Sequence, residues 1–280
     1  MGKITAKQIK EIIHEKIPNG LIIPEHSEDG HFYRHTPTDS LLHSVTTKSS
    51  ILDNSPHLKQ WAAKMAVDYI DKRLYEITPD TKDDIYKAAQ MAHRDIFQDA
   101  GDIGTTGHGF VEDYLTEWLD TGKRPEDIRT FIKGDNQDYR AFAIARSAEL
   151  FCRDYNVEPI ASELRVASVK YGYAGTLDSL MMVNGIFTLV DWKTSNSIQK
   201  DSYALQVSAY WQALKEMTGL KPKKIWIVRL DKGQAKYEIV EVNNITKSFK
   251  AFLNTCKVYD WLNNGSNKLY PINQKNVIKL

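Results

Sequence analysis

Gly175-Thr176-Leu177-Asp178, then Asn184-Gly185, then Leu189-Val190-Asp191-Trp192-Lys193-Thr194-Ser195 is the stretch on which the fold turns. Tyr173 to Met182 and Ile186 to Trp192 read as two strands, joined by an Asn-Gly hairpin signal. A two-residue turn there pairs Val183 with Ile186. Counting outward, Leu180 faces Leu189 and Asp178 faces Asp191, and directly opposed residues share a face. Asp191 and Lys193 lie two apart on one strand and project from that same face. A bulge would break this register.

Two carboxylates and an ammonium on one face need a reason. Like charges opposed across a strand pair destabilise it unless a cation lies between them. Hard oxygen ligands with open positions suit Mg²⁺ or Mn²⁺. Such an ion polarises a phosphate oxygen and lowers the pKa of a bound water. Lys193 would then position that water, or help deprotonate it, and offset the growing negative charge. The plainer alternative is a charged strand pair in which Lys193 neutralises an acid. The bare spacing is a weak pattern; the preceding Gly-Thr, the strand character around both acids and the hairpin signal make it specific.

Working outward, Ile160 to Ser168 reads as a strand before this pair, and Lys200 to Met217 as a helix after it, ended by Gly219. Ile225 to Leu230 and Tyr237 to Val242 form a second hairpin around Lys232-Gly233, and Ile245 to Leu262 a closing helix. Upstream, helices are expected at Leu58 to Leu74, Lys82 to Gln98 and about Asn136 to Asp154. Gly101 to Gly109 reads as a glycine-rich turn entering a helix that carries Phe110, Val111, Tyr114, Leu115, Trp118 and Leu119 on its apolar stripe. Thr5 caps a first helix, and two short extended runs follow at Leu21 to Ile23 and His31 to His35. The order predicts an α/β fold, a mixed central sheet flanked by helices. Residues 1–95 form an N-terminal helical extension in this reading, 96–262 the core, and 263–280 a loosely structured tail.

Gly-Thr-x-Asp followed by Asp-x-Lys-Thr-Ser resembles the RecB-type branch of the PD-(D/E)XK nuclease superfamily, which includes phage exonucleases and the mitochondrial genome maintenance exonuclease. Gly104-Thr105-Thr106-Gly107-His108-Gly109-Phe110-Val111-Glu112 is similar to that branch's Gly-x-x-x-His-x-x-x-Glu helix. Glu163 resembles the acid preceding Gly-Thr-x-Asp, and Gln206 with Tyr210 the Gln-x-x-x-Tyr helix. Ser44-Val45-Thr46-Thr47 resembles a Ser-Val-Thr stretch of the branch, with a helix cap as the alternative. The resemblance implies a restriction-endonuclease-like core and a DNA nuclease, an exonuclease, using Mg²⁺ or Mn²⁺. It implies that His108, Asp178, Asp191 and the Trp192 carbonyl touch the metal and that Lys193 handles the water. Gln206 and Tyr210 would contact DNA or brace the site. A structure-specific endonuclease and a non-catalytic DNA-binding module are the rival readings.

Among the satellites, His108 and Glu112 share a helix face, so Glu112 orients the imidazole or merely pairs with it. Glu163 either extends the acidic cluster or faces solvent. Thr194 and Ser195 are placed to bond a phosphate or to cap the next helix. Lys221, Lys223 and Lys224 either touch a DNA backbone or form a solvated loop. The other seven histidines show no ligand spacing.

Charge says little about a partner, because 37 basic and 36 acidic residues leave a net +1. The two cysteines, Cys152 and Cys256, lack the spacing of a zinc site and the number for an iron–sulfur cluster. No apolar run is long enough for a membrane span, and no secretory signal opens the chain, so a cytoplasmic protein is expected.

Overall fold

The computed structural model describes residues 4–27, 30–52, 56–131, 138–198 and 200–263. The helices are α1 (Ala6–Lys16), α2 (Val45–Ser49), α3 (Pro56–Asp71), α4 (Lys82–Thr121), α5 (Tyr139–Asp154), α6 (Lys200–Thr218) and α7 (Ile245–Asn263). The strands are β1 (Ile22–Ser27), β2 (Gly30–His35), β3 (Ser40–Ser44), β4 (Val157–Ser168), β5 (Tyr173–Val183), β6 (Ile186–Lys193), β7 (Lys224–Leu230) and β8 (Tyr237–Glu241). All eight strands join one mixed sheet, ordered β1-β2-β3-β5-β6-β7-β8, with β4 paired to β5 off this path.

The hairpin sets the register as its turn residues dictate. Asn184 and Gly185 both have positive φ, 48° and 74°, which a tight Asn-Gly turn requires. Val183 pairs with Ile186, Leu180 with Leu189 and Ser179 with Val190. The ladder stops there, one residue short of the two acids. Strand β4 runs antiparallel along β5 from Val157↔Val183 to Ser168↔Tyr173. It occupies one edge of β5 throughout, so β6 and β3 share the other. β6 takes Ser179 to Val183, and β3 pairs in parallel with Tyr173 and Ala174. The segment 175–178, which ends in Asp178, lies between them with no strand on that edge.

Both faces of the central strands are covered, so their sequences alternate between two cores rather than between core and water. Leu189, Ile225 and Ile227 enter the core built with α1, α6 and α7. Val190, Trp192, Trp226 and Val228 enter the other, built with α4 and α5. The alternation places Asp191 and Lys193 on the α6 side, the face of Leu189.

Two expectations are corrected. Residues 1–95 are not a helical extension throughout, because Ile22–Ser44 supplies three strands that continue the sheet through the β3–β5 pairing. This pairing joins segments about 130 residues apart, and no local signal announces it. The Gly101–Gly109 turn is absent. A single helix of 40 residues, α4, runs through it and ends at Gly122 with φ 69°. A Cβ on Gly107 would lie 2.7 Å from Ile144, and one on Gly104 2.8 Å from Thr194 Oγ1. These glycines serve close packing of the helix, not a change of direction. Asn136 and the tail beyond Asn263 lie outside the described residues; α5 begins at Tyr139 with Asp138 as its cap. No helix among the described residues is long and apolar enough to cross a membrane.

Candidate active site

A cleft of about 520 Å³ lies along one face of α4. Gly104, Thr105, His108, Gly109 and Glu112 line it from the helix, and Glu163, Asp178 and Thr194 from the sheet. Asp191 is 1% exposed and sits beneath this surface. Glu163 falls between the β4 pairs Ser162↔Ser179 and Leu164↔Leu177, beside Asp178, and the charges of Asp178 and Asp191 both reach it.

Asp178 is fixed by the sheet itself. Its Oδ2 accepts the backbone N–H of Trp192 at 2.7 Å, the bond a ladder carbonyl would otherwise receive. Trp192 points its ring into the opposite core and donates its indole N–H to Ser179 Oγ at 3.0 Å. Asp191 Oδ2 stands 2.7 Å from Lys193 Nζ as a buried ion pair. Both Asp191 carboxylate oxygens are buried, and Oδ1 has no hydrogen-bond partner. Lys193 also lies over the Tyr203 ring, 5.0 Å from its centroid.

The electrostatics follow from this crowding. Burial, and then the Asp178 charge, push Asp191 up to about 6 against the pull of Lys193. Burial likewise raises Asp178. Lys193 is held above its ordinary value: burial pushes it down, and Asp191 and Asp178 outweigh that. Burial, and then the charges of Asp178, Glu112 and Asp191, push Glu163 up to about 8 against the pull of Arg165. Burial and the nearby Lys193 bring His108 down to about 4, which leaves a neutral imidazole at neutral pH. Glu163 also adopts a left-handed backbone with φ 49°, a conformation that disfavours Glu in a strand. Strained residues of this kind cluster at functional sites.

The other sequence candidates divide. Thr194 lines the cleft. Ser195 is used locally, donating to Ser197 O at 2.7 Å and accepting from Tyr203 OH at 3.1 Å. Tyr210 is 4% exposed, packs its ring over Gly175 and accepts from Gln206 Nε2 at 3.0 Å. The pair lies beneath β5, with the Tyr210 ring against Gly175. Ser44 caps α2 by accepting from Thr47 N at 2.9 Å. Lys224 opens β7 at the end opposite the acids, pairing with Glu241 and covering Trp226. Cys152 and Cys256 are buried in different cores. Sequence reasoning missed Tyr203, although Tyr203, Gln206 and Tyr210 share one face of α6 at spacings of three and four. The conformation of Glu163 left no sequence signal.

A helix-backed mixed sheet carrying an acid, a second acid and a lysine at the end of its central hairpin defines a class of hydrolytic phosphodiesterases. A family model for the PD-(D/E)XK nuclease superfamily matches residues 86–271, more than half of the chain. The chain belongs to that superfamily and is a nuclease. Two solved structures are similar to it. One, described as "Putative exonuclease" from Eubacterium rectale, is 16% identical with a TM-score of 0.40, covering 59% of this chain and 69% of its own. The other, SSO0001, is 14% identical with a TM-score of 0.31, covering 57% and 75%. At these TM-scores neither likeness extends the assignment beyond the family. Among curated proteins, none matches.

Proposed function

We propose that the chain is a metal-dependent deoxyribonuclease acting in the cytoplasm as an exonuclease. The observation that carries the chemistry is Asp191: a fully buried carboxylate, one strand from Asp178, whose Oδ1 has no partner and whose Oδ2 meets Lys193. Among the described residues no three His, Cys, Asp or Glu side chains gather as a ready-made ion site. The donor set still fits a hard divalent ion, because two buried carboxylates raised by burial gain most from one. Asp178 and Asp191, with the neutral His108 and the Trp192 carbonyl, would hold Mg²⁺ or Mn²⁺. When bound, the ion supplies charge that polarises the phosphate and acidifies water.

The remaining work falls to the chain. Lys193 orients the attacking water and offsets charge on the phosphorane-like transition state. The water oxygen bonds to phosphorus, the opposite P–O bond breaks, and the departing oxygen takes up a proton. Thr194, at the rim, bonds a phosphate oxygen, and Glu112 orients His108 from one helical turn away. Tyr203 covers Lys193 and restricts its swing.

An intact acid–acid–lysine set favours this reading over a non-catalytic DNA-binding module, and a structure-specific endonuclease remains its rival in mode. End-labelled single- and double-stranded DNA, incubated with Mg²⁺ or with EDTA, tests it. Products that shorten from one end only with the metal are expected, and Lys193→Ala should abolish them with the fold retained. Wild-type rates in that variant would remove Lys193 from the mechanism, and internal cuts on closed circles would replace exonuclease by endonuclease.

A further inference from the structure

A second cavity, about 330 Å³, adjoins the cleft and shares two of its walls, Glu112 and Glu163. It is smaller and more enclosed. The turn between α1 and β1 closes its far side with Pro18, Asn19 and Gly20, and Ile17, Ile22 and Leu164 give it an apolar floor. That turn is pinned: Leu21 N donates to Pro18 O, and Thr36 Oγ1 donates to Gly20 O and Leu21 O. The cleft therefore lies open along α4 toward Ala100 and ends, beyond the acids, against a fixed wall.

Arg165 stands in this cavity, two residues along β4 from Glu163. Its guanidinium makes no ion pair among the described residues, which sets it apart from Arg34, Arg129, Arg140, Arg146 and Arg229. Its backbone is locked in the sheet by pairing with Thr176, whose hydroxyl bonds Tyr33 OH at 3.1 Å. A guanidinium with no close ion pair, drawn toward Glu163 only through space, stands on a rigid strand beside an apolar floor, and the set matches one nucleotide: phosphate on the fork, sugar and base on the floor. Glu112 and Glu163, the walls shared with the cleft, repel that phosphate and leave Arg165 as its charged partner in the cavity.

We propose that this cavity is the subsite for the terminal nucleotide of the strand being cut, with Arg165 holding its terminal phosphate. It rests on the nuclease reading above and adds a reason for acting at ends. The α1–β1 turn blocks continuation of the strand, so a chain that fills the cavity must stop there.

The test compares the full-length wild type with Arg165→Ala, Arg165→Lys and a surface control, Arg153→Ala. The probes are single-stranded DNA oligonucleotides bearing a 5′-phosphate, a 3′-phosphate or only hydroxyl ends, and a closed circle of the same sequence. Arg165→Ala should raise KM for one phosphorylated end about tenfold or more, with kcat within about twofold. Arg165→Lys should recover part of the loss, Arg153→Ala should match wild type, hydroxyl-ended DNA should be indifferent, and the closed circle should stay uncut by every variant. An unchanged KM, or an equal loss on hydroxyl-ended and phosphorylated strands, overturns the end subsite. Wild-type protein that cuts none of these probes would instead sink the nuclease reading. Binding of the same oligonucleotides by fluorescence anisotropy in EDTA then decides the subsite, since it still requires tenfold weaker binding of the phosphorylated end by Arg165→Ala.

Discussion

Trp192 donates its backbone N–H to Asp178 Oδ2 at 2.7 Å, so a side chain on β5 takes the place of the ladder where the β5–β6 pairing ends. The acid is thereby aimed by a strand and not by its own rotamer preference. It follows that the two roles of Asp178 can be separated. Asp178→Asn keeps an oxygen for the Trp192 N–H, and should retain the fold while losing cleavage. Asp178→Ala strands a buried N–H, and should lose cleavage and about 1–3 kcal/mol of stability. Denaturant unfolding of both variants, beside their activity, checks the separation.

Two glycines on one helix should respond in opposite directions. Gly107→Ala drives a methyl into the branched side chain of Ile144 and should cost about 1–3 kcal/mol. Gly109→Ala meets nothing within 4 Å and gains helix propensity, up to about 1 kcal/mol. Thermal melts of the pair give the sign directly.

The metal-free protein should become less stable between pH 6.5 and 8. Glu163 rises from an ordinary 4.5 to about 8 in the fold, so the folded chain holds the proton more tightly. Its contribution is complete below pH 4.5 and is lost as pH climbs through 8. His108 falls from 6.5 to about 4, so its own contribution is constant above 6.5 and is lost only on acidification. Melting temperatures in EDTA across this window should decline for wild type, and Glu163→Gln should flatten the profile.

Tyr210 behaves as a brace. Removing its hydroxyl in Tyr210→Phe leaves Gln206 Nε2 without its partner and should cost about 1 kcal/mol, with KM for DNA within about twofold of wild type. A KM raised tenfold with unchanged stability would return Tyr210 to the substrate.

The hairpin was legible because Asn184-Gly185 is a local signal with one outcome, and everything from Val157 to Glu241 is built from neighbours in sequence. The α4 helix was not. Four glycines within Gly101–Gly109 have a local preference for a turn, and only the tight approach of Ile144 and Thr194 reverses it. Two of the three N-terminal strands read as short extended runs and β3 did not, and the place of all three in the sheet depends on two residue pairs between β3 and β5. In the site, the acids and Lys193 could be found by counting. The left-handed Glu163 could not, since no residue type marks it.

That same packing makes His108 part of a long rod. At 40 residues α4 is about 60 Å from end to end. Its first half carries α3, joined through the Trp61–His93 ring contact, and its second half carries the imidazole. No break separates the two halves, and Gly107 lies against Ile144 of α5 between them. One continuous helix therefore connects the α3 arm with the candidate site.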